Sequence, residues 1–88
     1  MIQRAIKGES FILEFDAYNP KDRTQAVTSG TFEVEVDGRR VDGGMLSVDG
    51  NELSFRFIAD NVGTNIITIS YVFGSDIWKD RYRIVVEP

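Results

Sequence analysis

The 88-residue sequence predicts an all-β fold, a β-sandwich of about seven short antiparallel strands with a Greek-key crossover. Three observations predict it. Apolar and polar residues alternate with a period of two through almost every segment, the signature of strands with one buried face. Turn-forming pairs separate these runs at intervals of roughly ten residues. No window of ten or more residues carries an apolar face at helical spacing behind a cap, so no helix is expected.

The first clear strand holds Phe11, Leu13 and Phe15, alternating with Ile12, Glu14 and Asp16. Pro20 and the polar run Lys21-Asp22-Arg23-Thr24-Gln25 then make Asn19 to Ser29 the longest connection, an exposed loop suited to crossing between sheets. Phe32, Val34 and Val36 alternate with Glu33, Glu35 and Asp37 in the cleanest half-buried strand. Asp37-Gly38 follows it, a pair that tolerates the positive φ angles of a tight hairpin. Gly43-Gly44 reads as a further break, and Arg39-Arg40 with Asp42-Gly43-Gly44 as protection of a sheet edge. Asp49-Gly50-Asn51 marks a second hairpin, between Met45–Val48 and a strand carrying Leu53, Phe55 and Phe57. Asp60 to Gly63 is a loop; Ile67, Ile69 and Tyr71 define the next strand. Gly74-Ser75-Asp76 reverses the chain into a last strand carrying Tyr82, Ile84 and Val86.

The length fits one domain spanning residues 1–88, without repeat, linker or low-complexity segment. A chain this short supports one thin core and little room for a deep, water-excluding active site. It has no Cys, hence neither disulfide nor thiolate chemistry, and no His, hence none of the His-dependent bases, triads or zinc ligands. The formal net charge is −4, from 14 acidic and 10 basic residues, a poor balance for neutralising phosphates, so neither nucleic acid nor an anionic membrane is expected as a partner. No segment approaches the ~20 apolar residues of a membrane-spanning helix. The opening Met1 to Gly8 has no long apolar segment and no small-residue cleavage site. The expectation is therefore a protein without a signal peptide, placed in a virion or the host cytoplasm in preference to a cell surface.

The stretch Gly63-Thr-Asn65-Ile-Ile67-Thr-Ile69, then Gly74-Ser-Asp76, then Ile84-Val-Val86, resembles the closing strands of bacterial and phage immunoglobulin-like modules. Val34-Glu-Val36-Asp37-Gly38 is similar to a strand and turn of the same modules, so the resemblance covers roughly residues 31–88. It implies an immunoglobulin-like sandwich, with Gly63 in a backbone conformation closed to other residues and Asn65 hydrogen-bonding turn amides. The sequence departs from the pattern after Asp76, where Ile77-Trp78-Lys79-Asp80-Arg81-Tyr82 is bulkier than the usual continuation.

Candidate chemistry is sparse. Asp37, Asp42, Asp49, Asp60 and Asp76 suit turns as well as they suit calcium, and no Asp-X-Asp-X-Asp cluster converges them. Glu33 and Glu35 lie about 7 Å apart on one strand face, yet without the desolvated cleft that glycoside hydrolysis requires. No Ser-X-X-Lys or phosphate loop activates a nucleophile. Trp78, Tyr82 and Tyr18 offer an aromatic platform for sugar stacking or protein docking; Trp78 and Tyr82 also share a strand face with Ile84 and Val86, as core residues would. Lys79, Arg81 and Arg83 form a short basic stripe on the opposite face, placed to pair with Glu33 or Glu35 or to meet an acidic partner. The expected partner-binding residues are thus Trp78, Lys79, Arg81 and Tyr18, with no catalytic, cofactor or metal residue.

The function expected is non-catalytic, a structural or protein-interaction module, in particular a small head or tail accessory protein of a phage virion. That setting is what the resemblance implies. The alternative is a carbohydrate-binding or adhesion module of a bacterial surface protein or enzyme, which an exposed Trp78 beside Tyr18 would favour.

Overall fold

The computed structural model describes residues 2–88. Eight strands follow one another: β1 (Ile2–Ile6), β2 (Ser10–Asp16), β3 (Ser29–Val36), β4 (Arg39–Met45), β5 (Ser47–Asp49), β6 (Glu52–Ile58), β7 (Gly63–Phe73) and β8 (Asp76–Glu87). They form a five-stranded sheet in the order β1-β8-β7-β3-β4 and a three-stranded sheet in the order β2-β6-β5. The two sheets pack face to face as a β-sandwich. Every pairing is antiparallel except β1 with β8, which run parallel.

The alternation seen in the sequence decides which face each strand buries. Phe57, Leu53, Ile67, Ile69, Phe73, Ile84 and Val86 are fully buried between the sheets. An aromatic chain crosses the core: Tyr82 of β8 lies 4.7 Å from Phe15 of β2, Phe15 stacks near Phe55 of β6 at 6.2 Å, and Phe55 stacks on Phe32 of β3 at 4.0 Å. These ring pairs tie one sheet to the other beyond the area they bury.

Three two-residue turns close the hairpins. Asp37 (φ 53°) and Gly38 (φ 75°) both take positive φ, the mirror-image geometry whose twist matches paired strands. Gly50 (φ 62°) and Gly74 (φ 59°) each take the first central position of the other two. The long β2–β3 connection crosses between sheets as expected. It also covers the overhanging end of the large sheet, where Val27 is buried and the Thr28 amide donates to the Val72 carbonyl at 2.9 Å. At its exposed corner the Asp22 carboxylate accepts from the Thr24 hydroxyl and amide, which holds its pKa below the ordinary value.

Three expectations are corrected. The described residues form eight strands, close to the expected number, but β1 pairs in parallel with β8 where all strands were expected to be antiparallel. The extra strand, β1, turns Ile6 to solvent (56% exposed) and buries the small Ala5, so its hydrophobic signal points the wrong way. Gly43-Gly44 does not break the chain; β4 runs through both to Met45, with a bulge near Val41. Lys79, Arg81 and Arg83 do not pair with Glu33 or Glu35. The register places β7 between β3 and β8, and Glu33 is 3.7 Å from Arg40 of β4 instead.

The strands differ in length. A strand of 12 residues such as β8 spans about 40 Å at a rise of ~3.4 Å, close to the 42 Å long axis of the molecule. The small sheet is both shorter and two strands narrower. That mismatch, more than any single motif, shapes the surface.

Candidate functional site

The small sheet carries β2 at one edge, and β2 lies across from β8, leaving no strand opposite β1. The gap is a cleft of about 270 Å³ between β2 and the β1–β8 edge of the large sheet. Leu13 and Phe15 form one wall, and Tyr82, Ile84 and Ile67 form the floor. Glu14, Asp16, Gln3 and Arg83 stand at its rim. Leu13, Phe15 and Tyr82 are only half-buried although they pack against the core. Burial pushes the Tyr82 phenol above its ordinary range, and the nearby Asp80 charge adds to the effect.

The outer face of the small sheet is acidic. The register sets Asp16 opposite Glu52 and Glu52 opposite Asp49, with Glu14 one pair along. Like charges directly opposite one another destabilise a sheet. Among the described residues, the only ion pairs are Arg4–Glu87 and Arg40–Glu33, both on the large sheet. Asp16, Glu52, Asp49 and Glu14 therefore share this face without an ion pair among the described residues, with Arg56 further along the same face and Arg83 at the cleft rim.

The structure separates the four residues expected to bind a partner. Trp78 faces inward, opposite Tyr71, half-buried against the core, and its indole N–H is shut away from water with no acceptor among the described residues. Lys79 and Arg81 are exposed on the opposite face of β8. Tyr18 lies in the β2–β3 connection, 46% exposed, with the Arg23 guanidinium 5.1 Å above its ring. Trp78 thus stands on the far side of its strand from the two cations. The cleft was not anticipated. Its only sequence trace is Leu13 and Phe15 alternating with Glu14 and Asp16, a pattern that half-buried strands share.

Tyr71 and Asp80 make an unusual contact for inner-face residues. The Tyr71 hydroxyl donates to the Asp80 carboxylate at 2.7 Å. Burial, and then this hydrogen bond, raise the Tyr71 pKa far above its ordinary value. The folded chain holds that proton more tightly than the unfolded chain, which releases it near pH 10. The stabilising contribution is accordingly complete below pH ~10 and lost as pH rises beyond it. Denaturant midpoints are expected to fall steadily from pH 9.5 upward. Tyr71→Phe should flatten part of that fall, with Tyr82 accounting for the rest; an unchanged alkaline slope in Tyr71→Phe would overturn the assignment.

Asn65 is buried to 1% exposure at the start of β7. Its Nδ2 donates to the carbonyls of Asn61 (3.0 Å) and Gly63 (3.1 Å). The side chain therefore binds turn carbonyls, and the expectation that it binds turn amides is corrected. Gly63 takes φ 123°, a left-handed value that L side chains rarely adopt, as expected. Both residues serve the turn.

The chemistry available is limited. Among the described residues no group of three or more His, Cys, Asp or Glu is placed to hold a metal ion. Glu33 is exposed on the outer face. A second, polar depression at the opposite end is lined by Lys7, Asp37, Arg39 and Asp60.

No family model matches the chain, and neither does any curated protein. A solved structure, described as a "putative glycoside hydrolase" from Bacteroides vulgatus, is similar in fold, with a TM-score of 0.59 at 15% identity. The likeness takes in 98% of this chain and 17% of that one. The chain therefore matches a small part of a much longer protein. At this identity the likeness speaks for the fold alone.

Proposed function

We propose that the chain is a non-catalytic, immunoglobulin-like protein-interaction module, acting as a small head or tail accessory component of a phage virion. The strand order supports the immunoglobulin-like reading. In that fold one sheet holds the first, second, fifth and fourth strands of the seven, and the other holds the third, sixth and seventh. Here β2-β6-β5 faces β8-β7-β3, with β1 and β4 added at the edges of the larger sheet. Four of the connections change sheets, as a Greek key requires, and three are hairpins. The chain lacks the inter-sheet disulfide of antibody domains, and its one Trp lies on the last strand.

One observation carries the interaction reading. The concave apolar feature of this molecule is an open seam beside a sheet edge that no described strand covers. Such a seam is suited to binding by packing and backbone pairing. The virion setting rests on the sequence resemblance.

The carbohydrate-binding reading draws on Tyr18, the one exposed Tyr. It needs a second exposed ring, and Trp78 is turned into the sandwich. Co-expression with the proteins encoded beside it, followed by size-exclusion chromatography with light scattering, tests the proposal. A stoichiometric complex is expected, together with unretarded migration through polysaccharide affinity gels. Retardation in such a gel, with a change in Trp78 emission, would overturn the proposal in favour of glycan binding.

A further inference from the structure

We infer that the free edge of β2 is a docking groove for an extended, basic segment of a partner protein, which adds a fourth strand to the small sheet. The inference rests on the interaction-module reading and names its surface and its partner class. Three observations meet at this place. First, β2 pairs with β6 along seven residues on one side, and no described strand pairs with it on the other. Its outer edge therefore presents backbone donors and acceptors, the usual template for strand addition. Second, a strand laid there would sit opposite β1 and over the cleft floor of Tyr82 and Ile84, filling the place the narrower sheet leaves empty. Third, carboxylates outnumber cations at the rim, where Arg83 is the one cation among the lining residues beside Glu14 and Asp16. Asp16, Glu52 and Asp49 stand in line across the sheet beside Glu14.

Pairing geometry converts these observations into a sequence pattern. Directly paired residues point to the same face of a sheet. A guest residue opposite Leu13 or Phe15 therefore points into the cleft and must be apolar. One opposite Glu14 or Asp16 points outward and meets a carboxylate. The guest reads apolar–basic–apolar–basic over four residues. The same carboxylates repel the β2 edge of a second copy, and the chain as a whole carries −4, so the charge selects a foreign basic strand over self-pairing.

The test uses the 88-residue chain labelled with nitrogen-15 and a synthetic peptide, Thr-Val-Lys-Val-Arg-Val-Lys-Thr, beside a version with Glu in place of each Lys and Arg. The basic peptide is expected to shift amides of residues 11–16 and 82–84, to slow hydrogen exchange along β2, and to bind more weakly as salt rises. The acidic peptide should leave the spectrum unchanged. Glu14→Gln with Asp16→Asn, both at exposed positions, should retain the folded spectrum and weaken the basic peptide about fivefold, as the loss of two exposed charge pairs implies. Absence of shifts at millimolar peptide would overturn the inference, as would equal binding of the acidic peptide. Concentration-dependent dimerisation that protects the β2 edge would overturn it in favour of a second copy. A co-purifying partner that shifts the outer-face amides of β8 instead would also overturn the groove assignment, while leaving the interaction-module reading standing.

Discussion

Phe57→Ala is expected to remove about 3–5 kcal/mol of folding free energy, the cost of excising a fully buried Phe. Domains of this size hold on the order of 5–10 kcal/mol in total, so the variant should be partly unfolded at ambient temperature. Phe57 is 1% exposed, on the inner face of β6, with its ring 5.6 Å from Phe11 across the β2–β6 pair. Truncation leaves a void between sheets whose backbone ladders hold them apart, so the site collapses poorly and the cavity cost adds to the transfer cost. The neighbouring residue is the control. Ile58 lies one position along the same strand and is 48% exposed, because successive strand residues face opposite sides. Ile58→Ala should change stability by less than about 0.5 kcal/mol. Guanidinium unfolding monitored by circular dichroism measures both. Equal losses at the two positions would mean that β6 is rotated by one residue, which would move every side chain of that strand to the other face.

The pleat explains how much of the fold the sequence carries. Phe11, Leu13 and Phe15 alternate on β2, Leu53, Phe55 and Phe57 on β6, and Ile67, Ile69 and Tyr71 on β7. All of these face the core as the alternation implies. Turn chemistry is equally local, and Asp37-Gly38, Gly50 and Gly74 take the positive φ angles their sequence positions call for. Neighbour order is different in kind. Nothing in Glu33 or Arg81 records that β7 lies between their strands. Such order follows from how complete faces cover one another, a property of the whole chain. β1 was hidden for a related reason: its strand face is satisfied by the small Ala5 while Ile6 faces water.

The candidate site was less legible than the fold. Reasoning from residue types drew attention to Trp78, Lys79, Arg81 and Tyr18, because large aromatics and cations are what binding surfaces concentrate. Alternation along β8 puts Trp78 on the opposite face from Lys79 and Arg81. The cleft arises from one missing strand position, over β1 at the edge of the larger sheet. Its walls are ordinary core residues left half-covered, so the signal is the difference between two sheet widths, and no window of sequence contains both. Glu14 and Asp16 are the closest to a local trace. Their meaning depends on Glu52 and Asp49, which the fold brings alongside from more than thirty positions away.

Asn65→Asp should be the most damaging near-isosteric substitution in the molecule, costing about 3 kcal/mol or more at neutral pH. Asn65 gives both amide hydrogens to carbonyls, those of Asn61 and Gly63, from a position with almost no access to water. Its Oδ1 has no donor in reach among the described residues. A carboxylate there would present oxygen to two carbonyl oxygens and would lose its hydration with no donor to replace it. The folded-state pKa of the new acid must therefore lie above its unfolded value of about 3.9. The sign follows: the penalty is smallest below that value, where both states are protonated, and grows as pH rises through it. Urea midpoints of the variant, compared with the parent from pH 3 to 7, should converge at the acid end and diverge toward neutrality. Asn65→Ala provides the reference, since it frees the same two carbonyls without adding charge and should show no such convergence. A pH-independent deficit in Asn65→Asp would mean that water reaches the turn and that this asparagine is not the sealed clamp its hydrogen bonds describe.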